Sequence, residues 1–516
     1  MMLLRFLVCG VAGAMGLAAA TCESLASLSL PDTTITTAAS VAATANLPAY
    51  CRVAGTIRPS TDSNIRFEVW MPAQGWNGRF AGVDNGGFAG SINSDGMGGA
   101  LSSGYAVAST DTGHQAGVLG AVDASWAVGH PEKITDFGYR AIHETAQDGQ
   151  AITQAFYGTA ASHSYFVGCS NGGREALMEA QRYPADYDGI IAGAPAYYWT
   201  HLMTGALWGN QILTASPGGY LSPAKVATID AAIVAACDGI DGVVDGVIDD
   251  PRKCNFDPQT LLCTGAETNS CLTAAEIDTL EKLHSGPTDA NGAQVFPGYP
   301  NAGAESGSNG WPLWVTGNSP GTGADYYFGY FFFSDMVYSD PTWNPATFDL
   351  NRELAAGDEA MAATLNATDA DLLAFRQRGG KLILFHGWSD PAISTYSTIH
   401  YYERVIASRG AMRGEDFARL FLAPGMQHCQ DGPGPNSFGQ NGFARGDAGS
   451  DLESALEKWV EEGVAPEQVI ASNGARTRPL CAYPAVAKWK GSGSTDDAAN
   501  FTCVEPEGRP GHGPVR

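Results

Sequence analysis

The chain has 516 residues, with 54 acidic against 29 basic side chains and a formal net charge of −25. That length is too great for one hydrophobic core, so a large domain and a second one are expected. The acidic balance argues against nucleic acid and anionic membrane surfaces as partners.

Residues 1–20 read as a secretory signal: Arg5 supplies the charge, Phe6 to Ala20 is a short apolar run, and Ala18-Ala19-Ala20 fits small-residue cleavage. The run is too short for a membrane anchor, and no later stretch approaches the length of a membrane span. The mature chain is therefore expected to be soluble and secreted or periplasmic. Cys9 leaves with the signal. The other ten cysteines form an even set in an oxidising compartment, which implies disulfides. Spacing suggests the local pairs Cys22–Cys51, Cys237–Cys254, Cys263–Cys271 and Cys481–Cys503.

Along the chain, Ile65, Phe67 and Val69 alternate with Arg66, Glu68 and Trp70, a strand signal ending at Pro72. Tyr105 to Ser109 reads as a strand. Asp136 to Tyr157 has helical periodicity, with Ile142, Ala146 and Ile152 on one face. Tyr165 to Gly168 is a buried strand, Gly173 to Arg182 a helix, and Ile190 to Ala192 a short strand. Between about residues 198 and 368 this alternation stops. That stretch holds four cysteines, the acidic run Asp238 to Asp250, and an aromatic-dense segment from Trp311 to Trp343. Strands resume at Lys381 to Phe385 and Leu420 to Ala423, and Leu452 to Glu461 is an amphipathic helix. The expectation is an α/β fold with a parallel sheet, built from 21–197 and 369–516, carrying an inserted lid over 198–368.

Gly168-Cys169-Ser170-Asn171-Gly172 places Ser170 at the centre of a G-x-S-x-G turn between a strand and a helix, the context of a nucleophile elbow. A serine needs a base, and the base an orienting carboxylate. Asp390 and His428 follow consecutive strands in the order Ser, Asp, His. If Ser170 and His428 approach within roughly 3 Å, their neighbours Cys169 and Cys429 fall inside the ~4.4–6.8 Å Cα window of a disulfide. The oxyanion needs two backbone donors. Asn171 N–H is one, and in the loop Asp84-Asn85-Gly86-Gly87-Phe88-Ala89-Gly90 the choice for the other is Gly87, with Gly86 next. The acidic run offers Asp238, Asp241 and Asp245 carboxylates and the Val243 and Val247 carbonyls as hard oxygen ligands, the chemistry of a structural Ca²⁺. No organic cofactor is expected.

These motifs together resemble the tannase and feruloyl esterase family of α/β-hydrolases. The likeness rests on Cys169-Ser170-x-Gly172-Gly173, on Asp390 in His-Gly-x-x-Asp, on His428-Cys429, on Asn85 to Gly90 and on the acidic run, and it spans nearly the whole mature chain. The resemblance implies an α/β-hydrolase core with a large lid, a Ser–His–Asp esterase mechanism, a disulfide beside the nucleophile and base, and calcium in the lid. It also implies esters of phenolic acids as substrates, either small aromatic esters or a plant polymer bearing such acids. Feruloyl-type hydroxycinnamoyl esters stand ahead of galloyl esters. A terephthalate monoester is disfavoured, because Lys282 is the lone Arg or Lys between Lys253 and Arg352 where that activity calls for a lid arginine. A relative that binds phenolics or carbohydrate without catalysis is the non-enzymatic alternative.

Overall fold

The computed structural model describes residues 19–215, 217–408, 416–440, 442–443 and 446–506. The expected signal segment lies outside them up to residue 18.

Nine strands form one sheet: β1 (Thr33–Val41), β2 (Tyr50–Ile57), β3 (Ile65–Pro72), β4 (Arg79–Val83), β5 (Ala106–Thr110), β6 (His163–Cys169), β7 (Gly189–Gly193), β8 (Lys381–Gly387) and β9 (Ala418–Ala423). Their spatial order is β1-β2-β3-β5-β4-β6-β7-β8-β9. From β5 through β9 every neighbouring pair is parallel, while β1, β2 and β3 extend the sheet antiparallel. The parallel strands read as short apolar runs because both faces are covered. Side chains alternate between the faces. Phe166 of β6 joins a core that includes Ile142, Leu177 and Tyr401, whereas Tyr165 and Val167 join one that includes Leu101, Leu456 and Trp459.

The covering helices are Ser94–Ser102 and Leu452–Glu462 on one face, and Ala141–Tyr157, Asn171–Arg182 and Thr395–Ala407 on the other. The helix Leu452–Glu462 shows why the chain stops and starts where it does. Asp451 accepts the Ser454 N–H as N-cap, Gly463 ends it in the left-handed conformation, and Leu452, Ala455, Leu456 and Trp459 form one buried stripe.

Residues 198–368 fall between β7 and β8 and hold the helices Trp199–Ala215, Pro223–Cys237, Ala274–Ser285, Ala324–Phe331 and Leu350–Leu365. Part of this insertion has its own apolar core, with Val226, Ile229, Ile233, Ile277, Leu280 and Trp311 buried together. A second cluster joins it to the sheet domain, where Phe88 and Phe137 pack with Trp199, Phe332 and Phe333. Phe332 and Phe333 of the aromatic-dense segment thus serve as packing. The insertion leaves and rejoins the sheet domain at one place: Ala367 N–H donates to Tyr197 O at 2.7 Å, and Thr200 N–H donates to Asn366 Oδ1 at 3.0 Å.

All five disulfides drawn from the sequence are present, with Cα–Cα distances of 5.0–6.1 Å. After the last helix come two antiparallel hairpins that the sequence reading did not anticipate, Gln468–Asn473 with Arg476–Cys481 and Val486–Trp489 with Phe501–Val504. Cys481–Cys503 links them. Beyond Lys490 the chain is held at Cys503, where Phe501–Val504 is a paired strand.

Candidate active site

Ser170 stands between β6 and the helix Asn171–Arg182 with φ 64° and ψ −122°, a left-handed conformation that a residue with a Cβ rarely adopts. It holds because its surroundings over-determine it. Ser170 N–H donates to Gly193 O at 2.9 Å, and Ser170 O accepts from Arg174 N–H and Ala196 N–H. The flanking glycines are required by contact. A Cβ on Gly168 would lie 2.4 Å from Gly172 O, one on Gly173 2.3 Å from Gly193 O, and one on Gly172 1.9 Å from Asp84 Oδ2. Asp84 comes that close because its Oδ2 accepts the Cys169 N–H at 2.9 Å. Burial raises the Asp84 carboxyl to about 6.

Asp390 lies just past β8 and is fully engaged. Its Oδ1 accepts from Ala392 N–H and Ile393 N–H, each at 2.9 Å, and its Oδ2 meets His428 Nδ1 at 2.8 Å and His386 Nε2 at 3.0 Å. Burial pushes this carboxyl up, but His428 and His386 outweigh it and hold it well below the ordinary range. His386 was not singled out as a site residue, although it opens the His-Gly-x-x-Asp motif four residues before Asp390. With Nδ1 facing Asp390, His428 keeps Nε2 as the nitrogen that can take a proton.

The His428 loop is pinned from both domains. Cys169–Cys429 joins it to the Ser170 turn with a Cα–Cα distance of 6.1 Å across 260 residues of sequence. From the insertion, Asn309 Nδ2 donates to His428 O at 3.0 Å and the Trp314 ring stands edge-on to the imidazole at 4.8 Å. Gln427 Nε2 donates to Ala304 O at 2.6 Å.

Gly86, Gly87 and Asn171 border the same cavity as Ser170 and His428. The N–H groups of Gly87 and Asn171 meet no protein acceptor among the described residues, which leaves both available to an oxyanion. Gly87 has φ +58°, and a Cβ there would lie 2.4 Å from Ala121 O. A polar layer behind fixes the pair. Asn171 Nδ2 donates to Asn85 O and Glu175 Oε1, and Asn85 N–H donates to Glu175 Oε2. Arg174, fully buried, donates to Asn171 Oδ1 at 2.9 Å and to the carbonyls of Phe137 and Gly138. Arg174 and Glu175 had no assigned role in the sequence reading.

The cavity measures about 590 Å³, and its walls carry Trp199, Leu202, Met203, Trp314, Phe328 and Ile393. One further acid is on its lining, Asp325. Burial pushes the Asp325 carboxyl well above the ordinary carboxylate range, and Asp390 nearby adds to the rise.

The acidic run lies in the insertion, its loop closed by Cys237–Cys254. Asp238 accepts from the N–H groups of Asp245 and Gly246, Asp241 from Val243 N–H, and Asp245 from Val247 N–H. Buried Arg478, from the first closing hairpin, bonds Asp245 and Asp249. Arg478 did not figure in the sequence reading, and Asp249 entered it only as part of the acidic run. Burial raises Asp249 to about 7, with Asp241 and Asp245 adding to the rise against Arg478. Acid therefore exceeds base here, and the donor set is all oxygen, which fits a hard cation. Among the described residues, a trio of carboxylate and imidazole atoms all within 4.8 Å occurs elsewhere, at His143, Glu179 and Asp186. A site in the acidic run therefore depends on main-chain carbonyls as well.

The family model for tannase and feruloyl esterase matches residues 51–504. The chain is 42% identical to an uncharacterized esterase of Xanthomonas campestris pv. campestris, covering 95% of this chain and 92% of that protein. It is 36% identical to mono(2-hydroxyethyl) terephthalate hydrolase of Piscinibacter sakaiensis, over 91% of this chain and 87% of that one. Among solved structures, feruloyl esterase B from Aspergillus oryzae aligns with a TM-score of 0.84 and 29% identity, over 94% of this chain and 99% of that one.

Proposed function

The chain belongs to the tannase and feruloyl esterase family and is an esterase, and from that premise we propose that Ser170, His428 and Asp390 carry its chemistry on esters of phenolic acids. One observation bears most of the weight. Ser170 and His428 line a single cavity, a disulfide joins their neighbours, and His428 Nδ1 rests on a carboxylate that its own hydrogen bonds keep ionised.

Ser170 Oγ attacks the ester carbonyl carbon while His428 Nε2 takes its proton. Asp390 holds the imidazole tautomer and stabilises the imidazolium. The carbonyl oxygen, now an oxyanion, receives the N–H groups of Asn171 and Gly87. As the intermediate collapses, His428 returns the proton to the departing alkoxide, and the acyl group stays on Ser170. Water then attacks the acyl-enzyme carbonyl, giving its proton to His428, and Ser170 leaves with that proton as the acid is released. His386, bonded to the same carboxylate oxygen as His428, fixes Asp390 in place.

The apolar walls and the ring faces of Trp199, Trp314 and Phe328 suit a planar aryl acyl group. Among the described residues no Lys or Arg lines the cavity, which supports hydroxycinnamoyl or galloyl esters over a terephthalate monoester. In the same reading, Asp238, Asp241 and Asp245 carboxylates with the Val243 and Val247 carbonyls hold Ca²⁺. Bound there, it would neutralise the acidic surplus beside Arg478 and brace the loop closed by Cys237–Cys254. The five disulfides support export to an oxidising compartment, and no helix of the described residues is long and apolar enough to cross a membrane.

The test is hydrolysis of methyl ferulate, methyl gallate and a terephthalate monoester by wild type and Ser170→Ala. Labelling by a serine-directed phosphonate is measured in parallel. Ferulate turnover and labelling that both vanish in the variant are expected. Gallate preference would make the chain a tannase-type enzyme, and absent turnover and labelling in folded protein would favour a binding role.

A further inference from the structure

We propose that Asp325 is the specificity residue of the acyl pocket, accepting the phenolic hydroxyl of an aromatic acid and rejecting an acid that carries a second carboxylate. This rests on the esterase reading of Ser170 given above. Asp325 sits in the first turn of the helix Ala324–Phe331, in the insertion. It is 7% exposed and stands on the wall of the catalytic cavity. It also borders a smaller adjoining cavity of about 30 Å³, sharing Leu202, Ala206 and Ala392 between the two.

The other polar side chains on the catalytic cavity are mostly committed. Asp84 accepts from Cys169 N–H, Asn93 caps a helix and donates to Asp84 O, and Asn171 is held by Asn85, Glu175 and Arg174. Asn309 spans His428 O and the Trp314 indole. Asp325 differs. Its Oδ2 receives a single long bond from Tyr299 O–H at 3.3 Å, and its Oδ1 meets no protein donor among the described residues.

A carboxyl placed on an apolar wall without a cation costs stability unless a ligand uses it. The ligand that suits it brings an O–H donor on a flat apolar body, since the neighbouring walls are Trp199, Leu202, Met203 and Phe328. A phenolic acid has that form. A second carboxylate does not: it would meet Asp325 with no Lys or Arg on the lining among the described residues, and the lone Lys or Arg between Lys253 and Arg352, Lys282, is paired with Asp278 on an exposed helix face. A site built to bond a hydroxyl discriminates strongly, because the analogue lacking it leaves a buried polar group unpaired.

The experiment compares methyl 4-hydroxycinnamate with methyl cinnamate, and methyl 4-hydroxybenzoate with a terephthalate monoester, on wild type, Asp325→Asn and Asp325→Leu. Each ratio of kcat/KM is taken within one protein, so general damage cancels. Wild type is expected to favour the hydroxylated cinnamate by roughly five- to 150-fold, the range for leaving one buried polar group unpaired. Asp325→Leu brings that ratio toward one, and Asp325→Asn keeps part of it. A flat ratio in wild type, an unchanged ratio in Asp325→Leu, or wild-type turnover of the terephthalate monoester equal to that of the hydroxybenzoate would overturn the assignment while leaving a Ser170 esterase intact. Absence of Ser170-dependent hydrolysis of all four esters would instead remove the reading beneath it.

Discussion

Changing Cys169 and Cys429 together to alanine separates what their bridge does for stability from what it does for catalysis. The bridge spans 260 residues, and the chain-entropy relation assigns a loop of that size about 5–6 kcal/mol at 25 °C, an upper figure because measured values more often fall at 2–4. The bridges Cys237–Cys254 and Cys263–Cys271 lie inside that loop but span only 17 and 8 residues, so they shorten it little. With an unfolding entropy of about 2.1 cal/mol/K per residue, a chain of this length loses roughly one degree of Tm per kcal/mol, so a drop of about 2–6 °C is expected. That leaves the variant folded at assay temperature. Turnover has a different sensitivity, since a misplacement of about 1 Å between reacting groups costs about 100-fold. His428 keeps Asp390, Asn309 and the Gln427–Ala304 bond in the variant, so its tautomer survives while its position relative to Ser170 loosens. The expected result is a fall in kcat of about 100-fold with KM little changed, as for an interaction made only in the transition state. The assay is steady-state hydrolysis of methyl ferulate, with circular dichroism melting on the same sample. A variant with wild-type kcat and a lowered Tm would refute the claim that the bridge sets catalytic geometry, leaving it a stability element alone.

Asp390→Asn should lower kcat by about 10⁴-fold by presenting the wrong hydrogen-bond partner to His428, read in the same ester assay. Because the folded Asp390 pKa is depressed, its contribution to stability is present above the ordinary carboxylate value of about 4 and lost as pH falls below it. Urea unfolding across acidic pH should show that loss in wild type and a flatter profile in Asp390→Asn. Gly172→Ala drives a Cβ into Asp84 Oδ2 and should cost about 1–3 kcal/mol or more. Adding Asp84→Ala should restore part of the Tm, and an additive double variant would deny the contact. Chelation by EGTA should lower Tm, since a ligand at 100 times its Kd contributes about 2.7 kcal/mol. Asp241→Ala should abolish that shift, and an unchanged wild-type melt would exclude a structural calcium.

The nucleophile turn and the Asp and His loops were readable from the sequence because chemistry constrains them locally: a strand, a tight glycine turn and a polar residue fall within a few positions. Most of the parallel strands were legible for a related reason, as double-sided burial makes Phe166 to Gly168 or Ile190 to Ala192 uniformly apolar. β1 was not, because an edge strand reading Thr-Thr-Ile-Thr-Thr-Ala-Ala-Ser-Val has no fully buried position and lacks a clear apolar stripe. β4 was missed because Arg-Phe-Ala-Gly-Val is short and buries by position in the sheet rather than by pattern. Arg478 and Asp325 depend on long-range packing: Arg478 reaches an acidic loop 229 residues away in sequence at Asp249. No local rule marks a residue whose partner is that distant.

The hydrogen bond from Ala367 N–H to Tyr197 O has a bearing on how such a chain can diversify. Because the insertion departs and returns through adjacent residues, its length and content can change while the register between β7 and β8 stays as it is. The sheet domain supplies Ser170, Asp390 and His428, and the insertion supplies Asp325, Trp314 and Phe328. On the reading proposed above, acyl preference and bond-breaking machinery therefore occupy separate stretches of the chain. A library that exchanges residues 198–366 as a cassette, keeping Asn309 and Ala304 for the His428 loop, would recombine substrate choice against a constant reaction centre.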